Sequence, residues 1–329
     1  MNMDSMLQVR NLKKYFPIKG SLFGAGPSYV HALENVDLDL YKGETLGVVG
    51  ESGSGKSTLG RTIIQLEQPT AGKVLFEGKD VSALKDEELK RFRTNIQMVF
   101  QDPYASLNPR LSVGYAIAEP MIAHKRFASK AETKEATEEL MKKVGLQPSM
   151  ASQYPHNFSG GQRQRIGIAR ALSLNPKVLI CDEAVSALDV SVQSQILNLF
   201  NALKRELGLT YIFIAHDLSV VRYISDRILV LYLGTVMEIA PKSRLFEKHY
   251  HPYTESLISA SPEPSTAKRK GRIILSGEIP SPINPPKGCK FHTRCFKCME
   301  RCKVEEPGLR EIETGHFVRC HLYDEKGRN

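Results

Sequence analysis

Short apolar runs and longer amphipathic stretches alternate through the first two thirds of the 329-residue chain. Residues 36–40, "VDLDL", alternate apolar and acidic side chains with the period of a half-exposed strand. "TLGVVG", "NIQMVF", "KVLICD" and "TYIFIAH" are compact apolar runs that predict buried strands. Between them, "KSTLGRTIIQL", "KAETKEATEELMKKVG" and "VSVQSQILNLFNALKRELG" predict helices. The last of these spaces Val192, Ile196, Leu199 and Leu203 at three and four and ends at Gly208. Strands alternating with helices predict an α/β fold whose mostly parallel sheet is covered on both faces. Residues 102–157 carry few strand signals and read as a helical insertion, and "PEPSTAKRKG" reads as a linker. No internal repeat is visible.

The length suits one large domain with an appendage, or two modest domains. The N-terminus has an early acid and no apolar run behind a basic start, so no signal peptide is expected. The stretch "RILVLYLGTVMEIA" is too short for a membrane span and is interrupted by glycine and charge. A cytosolic chain, or one held at a membrane through partners, is therefore expected. The net charge of +9 could serve nucleic acid or an anionic membrane face. A scattered solvated surface with one basic tail is the plainer reading, since +5 of that charge falls in residues 262–329. Five of the six cysteines also lie in the tail, with Cys181 alone before it. Cytosolic thiols stay reduced, which leaves metal ligation or redox chemistry rather than a disulfide framework.

Residues 50–58 read "GESGSGKST" and fit the pattern G-x-x-x-x-G-K-[ST]. Gly50, Gly53 and Gly55 allow the backbone to curl so that its N–H groups face phosphate oxygens. Lys56 places a cation between β- and γ-phosphates, and the Ser57 hydroxyl reaches Mg²⁺. Glu51, Ser52, Ser54 and Thr58 complete the predicted cradle, and the following helix adds its positive end. Residues 178–189, "VLICDEAVSALD", bring two acids to the end of an apolar strand, the edge where open α/β sheets bind ligands. Asp182 there would hold Mg²⁺ through water and Glu183 could polarise an attacking water; a solvated acidic turn is the plain alternative. Cys181 reads as a small core residue. In "FSGGQRQRIGIARAL", Ser159, Gly160, Gly161 and Gln162 open a helix that could hold an anion, or that Ser159 simply caps.

In this order, the phosphate loop, "SGGQ", "ICDEA" and "SALD" resemble the ATPase subunit of an ATP-binding cassette transporter, across about residues 7–260. The resemblance implies a P-loop NTPase core with a mostly parallel sheet, an antiparallel β subdomain and a helical subdomain at about 102–160. It sets an ATPase domain at 1–260, a linker at 261–272 and a small Cys-rich appendage at 273–329. ATP and Mg²⁺ are the implied cofactors, with Ser57, Gln101 and Asp182 around the ion and Lys56, Glu183 and His216 catalytic. Gln101 in "VFQDP" is similar to the glutamine that links Mg²⁺ to the transmembrane partner, and His216 in "IAHDL" to the switch histidine at the γ-phosphate. Asp189 would close the loop that crosses between subunits. Ser159, Gly160, Gly161 and Gln162 would serve the nucleotide of the opposite chain. Tyr15 in "LKKYF" resembles the aromatic that stacks on adenine, although an aromatic there also suits a core. Phe158 stands where many members have leucine.

"MVFQDPYASLNPRLSVG" and the cysteine-bearing tail are similar to ATPase subunits of oligopeptide and dipeptide permeases, and "PYASLNPR" to the second ATPase of their usual heterodimer. This implies an ATP-hydrolysing subunit of a peptide importer on the cytoplasmic face of the cell membrane. Its partners would be a second ATPase, two transmembrane permease subunits and an extracytoplasmic solute-binding protein, with no nucleic acid. A soluble cassette ATPase of DNA repair or translation, an exporter cassette, and an importer of another solute such as nickel are the alternatives. The first usually has two cassettes or a coiled-coil insertion, and the second usually has fused membrane spans; neither feature is seen here.

The tail runs Cys289-x5-Cys295-x2-Cys298-x3-Cys302-x17-Cys320, five thiols for a tetrahedral site of zinc or an iron–sulfur cluster. The x2 step favours zinc. The permease ATPases that the tail resembles share C-x5-C-x6-C-x17-C, and some bind a [4Fe–4S] cluster there. That pattern falls on Cys289, Cys295, Cys302 and Cys320 and leaves Cys298 extra. Lys290, Arg294, Lys297, Arg301 and Lys303 are expected to lower the thiol pKa values and offset cluster charge. A structural clamp is expected rather than a redox role.

Overall fold

The structure is a computed structural model that describes residues 5–18, 28–102, 104–260 and 273–324. The expected linker at 261–272 lies outside the described residues. The chain forms two compact units, Met1–Ala83 with Ala215–Asn329, and Leu84–Ile214.

The first unit holds an antiparallel sheet ordered Ser28–Tyr41, Ser5–Ile18, Ala71–Phe76, Lys79–Asp80. Its two long strands bury Leu7, Val9 and Leu12 against Leu33, Val36 and Leu40. Their register shifts several times, and Asn11 and Asn35 take left-handed φ values of 47° and 48°. Such bulges put extra residues into a strand and disturb its alternation. That is why only "VDLDL" showed a clean two-residue period.

A second sheet of this unit runs Arg310–Glu313, His316–Val318, Thr235–Pro241, Arg227–Tyr232, Thr45–Val49. Thr45–Val49 lies parallel to Arg227–Tyr232, and all five of its residues are buried, as a strand covered on both faces requires. The apolar run "RILVLYLGTVMEIA" is a hairpin. Leu233 and Gly234, at φ 43° and 71°, form its two-residue turn, the left-handed pair that suits the twist of flanking strands. Glu238 is fully buried in the second arm, where its carboxylate accepts from the backbone N–H groups of Tyr250 (2.8 Å) and His251 (3.0 Å) and contacts His316 Nε2 at 2.7 Å. A buried carboxylate with three partners fixes the C-terminal hairpin at this position.

The second unit carries parallel strands in the order Thr210–Ile214, Val178–Asp182, Ile96–Val99. The helix Val190–Leu207 covers its core with Ile196, Leu197, Phe200 and Leu203, and Gly208 stops it at φ 64°. Of the sequence-predicted seam, Val192 and Leu199 are only half-buried, while Phe200 packs edge-on against Tyr211 and Phe213 at 5.8 and 5.5 Å. Between residues 100 and 177 the described residues form helices and turns and no strand, with Val113–Ala123, Lys130–Lys143 and Gly160–Leu172 the main helices. Among the described residues no helix is long and apolar enough to cross a membrane.

Candidate functional site

In the first unit, the strand Thr45–Val49 runs into Gly50 and the helix Lys56–Ile63 begins six residues later. At Gly50 a Cβ would lie 2.1 Å from the Leu231 carbonyl oxygen, so only glycine allows the chain to leave the sheet here. Gly55 caps the helix in the left-handed region at φ 99°, and its absent Cβ leaves room for the Ala32 carbonyl. The loop folds back on its own lysine: Lys56 Nζ donates to the carbonyls of Gly50 (2.8 Å) and Glu51 (2.9 Å) and is buried. Ser54 Oγ is buried with no hydrogen-bond partner among the described residues. Ser52 and Gly53 are exposed, and Ser57 and Thr58 are half-buried in the first helical turn. A buried ammonium, an orphan hydroxyl and a glycine-opened helix start fit a polyphosphate.

Tyr15 belongs to the antiparallel sheet of the same unit. Its hydroxyl donates to Glu34 at 2.6 Å, and its ring lies 4.3 Å from that of His31. Lys13 completes the group with a 2.7 Å ion pair to Glu34. His216 is exposed just before the helix Leu218–Ile224, which Asp217 caps through Ser219 N–H.

In the second unit, Asp182 ends a wholly buried strand and is itself buried. Glu183 follows at φ 46°, a strained conformation for a residue with a side chain. Its N–H donates to the Ile214 carbonyl at 3.0 Å, and its carbonyl accepts from Ser186 N–H and Oγ at 3.0 and 2.9 Å. Its carboxylate accepts from Gln101 Nε2 at 2.8 Å. Ser159 opens Gly160–Leu172 with a capping box: Gln162 N–H donates to its hydroxyl while its own N–H donates to Gln162 Oε1. Gly161 leaves room for Val192, which a Cβ would meet at 2.4 Å. Asp189 caps Val190–Leu207, and the N–H of Val192 and the Ser191 hydroxyl hold its carboxyl below the usual range. The structure therefore joins Gln101 to Glu183 and Ser159 to Gln162, while Asp189 points its carboxylate at its own helix.

The cysteine segment gives one correction. Its cations do pull on the thiols as expected, Lys297 lowering Cys295 and Lys303 lowering Cys298, but burial outweighs them. Burial pushes Cys289 up to about 11 and Cys320 up to about 12, and it raises Cys295 and Cys298 as well. Each cation has an oxygen partner: Lys290 the Pro286 carbonyl, Arg294 Glu51, Lys297 Glu255, Arg301 Glu305 and Asp324, and Lys303 Glu300. Cys289, Cys295 and Cys302 add to the upward push on Cys320. Cys289 N–H also donates to the Cys302 carbonyl at 2.9 Å. Among the described residues no group of three or more His, Cys, Asp or Glu side chains is arranged to hold a metal ion.

Two partners of the phosphate loop escaped the sequence reading. Tyr253 Oη accepts from Glu51 N–H at 2.9 Å, and Arg294 forms a two-pronged ion pair with the Glu51 carboxylate at 2.6 and 3.1 Å. Neither residue lies in a nucleotide-binding pattern, and Arg294 is 243 positions from Glu51. No signal in the sequence links them.

Residues 33–186 match the family model described as ABC transporter, and residues 237–302 match the one described as oligopeptide/dipeptide transporter, C-terminal region. The chain is 54% identical over 326 residues to the oligopeptide transport ATP-binding protein AppF of Bacillus subtilis (strain 168), with 98% of each chain covered. It is 50% identical to the oligopeptide transport ATP-binding protein OppF and 49% identical to the dipeptide transport ATP-binding protein DppF, both of Haemophilus influenzae, covering 97% of each chain. Among solved structures, the post-hydrolysis dimer of the ATP-binding cassette MJ0796 bound to ADP and Pi is 33% identical. Its TM-score is 0.64, over 72% of this chain and 99% of that one.

Proposed function

The chain belongs to the ABC transporter ATPases of the oligopeptide/dipeptide type, whose ATP hydrolysis powers transport, and from that premise we propose that it drives import of di- and oligopeptides. The three relatives given above are named for oligopeptide or dipeptide transport, not for DNA repair, translation or nickel. In this reading it works at the cytoplasmic face of the membrane, paired with a second, similar ATPase and docked on two permease subunits fed by a solute-binding protein. Residues 1–260 form the ATPase domain, with a helical subdomain at about 102–160, and residues 273–329 form the appendage.

The observation that carries the proposal is the buried Lys56 ammonium, ringed by the carbonyls of its own loop at 2.8 and 2.9 Å. Lys56 and the loop N–H groups other than those of Glu51 and Ser54 would hold the β- and γ-phosphates, with Tyr15 against adenine. As the family resemblance implies, Ser57, Asp182 and Gln101 would hold Mg²⁺, which would supply charge neutralisation for phosphoryl transfer. Glu183 takes up the proton of the attacking water, and His216 steadies the γ-phosphate. Ser159, Gly160, Gly161, Gln162 and Asp189 serve the site shared with the partner ATPase. Cys289, Cys295, Cys302 and Cys320 would hold a structural [4Fe–4S] cluster, a reading supported by their spacing in the chain.

Membrane vesicles carrying the assembled transporter provide the test. ATP-driven uptake of a labelled tripeptide should vanish with Lys56→Ala while the subunits stay assembled. Undiminished uptake would refute the proposal, and uptake of nickel in place of peptide would overturn the cargo.

A further inference from the structure

We propose that Arg294, in the cysteine-rich segment, is a positioning residue for the phosphate loop: it neutralises Glu51 and keeps that carboxylate away from the nucleotide's phosphates. This rests on the reading of residues 50–58 as the phosphate cradle. A loop built to receive a polyphosphate carries a carboxylate at its second residue, and an unpaired charge there would repel the ligand. The structure shows how the repulsion is removed. Arg294 Nη1 and Nη2 grip the two Glu51 oxygens at 2.6 and 3.1 Å, a fork that fixes direction as well as charge. The side chain of Arg294 is 8% exposed and that of Glu51 25%, so solvent screens the pair only in part.

The grip extends to the backbone of Glu51. Its N–H donates to Tyr253 Oη, and its carbonyl accepts from Lys56 Nζ at 2.9 Å and from Ser54 N–H at 3.1 Å. Every polar group of Glu51 is thus held, two of them by residues beyond position 250. Arg294 is itself fixed from behind. It ends the turn His292–Arg294, its N–H donates to the Phe291 carbonyl at 3.0 Å, and Phe291 is fully buried against Tyr232 and Tyr253 at 5.3 and 5.2 Å. The cysteine segment therefore sets the geometry of Glu51, the second loop residue. Its integrity bears on ATP affinity rather than only on the stability of the tail.

ATP affinity of the full chain separates this role from simple adhesion of the tail. Arg294→Met should raise the Kd for ATP about tenfold, because Glu51 is left charged and unpaired. Adding Glu51→Gln to that variant should bring the Kd back to within about twofold of the wild type, since the repelling charge is gone. An unchanged Kd in Arg294→Met would overturn the proposal. So would a weakened Kd that Glu51→Gln fails to restore, which would make Arg294 only a tether. If circular dichroism shows Arg294→Met unfolded, Arg294→Gln replaces it with the same two outcomes. Wild-type chain that binds no ATP would overturn the cradle reading, and this proposal with it.

Discussion

Gln101 Nε2 donates to Glu183 Oε2 across 2.8 Å, joining two residues 82 positions apart in the chain. The contact follows from the sheet: Gln101 comes just after the strand Ile96–Val99, and Glu183 just after its parallel neighbour Val178–Asp182. Parallel strands deliver their C-terminal ends to one edge, so residues that follow adjacent strands meet there. Gln101→Ala should leave ATP affinity within about twofold and lower kcat about tenfold, because the carboxylate loses the donor that aims it. Equal loss of affinity and turnover would show a structural role instead.

Two glycines of the phosphate loop should respond differently to alanine. At Gly50 the new methyl would stand 2.1 Å from a carbonyl oxygen in the strand Arg227–Tyr232, where the backbone cannot yield. Gly50→Ala should cost about 2 kcal/mol of stability and raise the Kd for ATP more than about tenfold. Gly53 has open space around it and only its left-handed φ of 76° to defend, so Gly53→Ala should cost about 1 kcal/mol. Thermal melts and nucleotide titrations of the two variants check the order.

The parallel strands and the loops that follow them were legible because their signals are local. "TLGVVG" before "GESGSGKST" and "VLICD" before Glu183 each show an apolar run and its chemistry within a dozen residues. The long antiparallel strands were not, since bulges near Asn11 and Asn35 scramble their alternation. The net rise of the thiols, in which burial outweighs Lys297 and Lys303, was hidden for a different reason. Sequence shows that cations neighbour the cysteines, but not that carboxylates as distant as Glu51 and Glu255 pair with them. Arg294 belongs with these: its use depends on a fold that returns residue 294 to residue 51.

Stability should fall in mild acid through His251. The ring is buried and its pKa is pushed down to about 4, with Glu238 only partly opposing the effect of burial. Its Nδ1 accepts from Tyr253 N–H at 3.0 Å, which requires that nitrogen to be unprotonated. The unfolded chain titrates near the ordinary 6.5, so it binds the proton first. The contribution is complete above about pH 6.5 and is lost as pH falls toward about 4, amounting to roughly 3 kcal/mol in all. His251→Asn keeps an acceptor for Tyr253 and should flatten this part of the urea-midpoint profile between pH 7.5 and 4.5. An unaltered slope would assign the acid sensitivity elsewhere.

Anaerobic purification should yield brown protein with iron and sulfide each at about four per chain. The colour should be lost on Cys302→Ser and kept on Cys298→Ser, which removes the thiol outside the C-x5-C-x6-C-x17-C pattern. A colourless preparation with one zinc per chain would replace the cluster with a zinc site.

The most direct test of the account is Glu183→Gln in the full chain, assayed for ATP binding, hydrolysis and dimerisation together. Glutamine can still accept from Gln101 at this position, so the geometry is kept while the basic carboxylate is removed. ATP affinity should stay within about twofold, hydrolysis should fall at least about 100-fold, and light scattering should show an ATP-bound dimer accumulating. Wild-type turnover in this variant would contradict the claim that Glu183 drives hydrolysis.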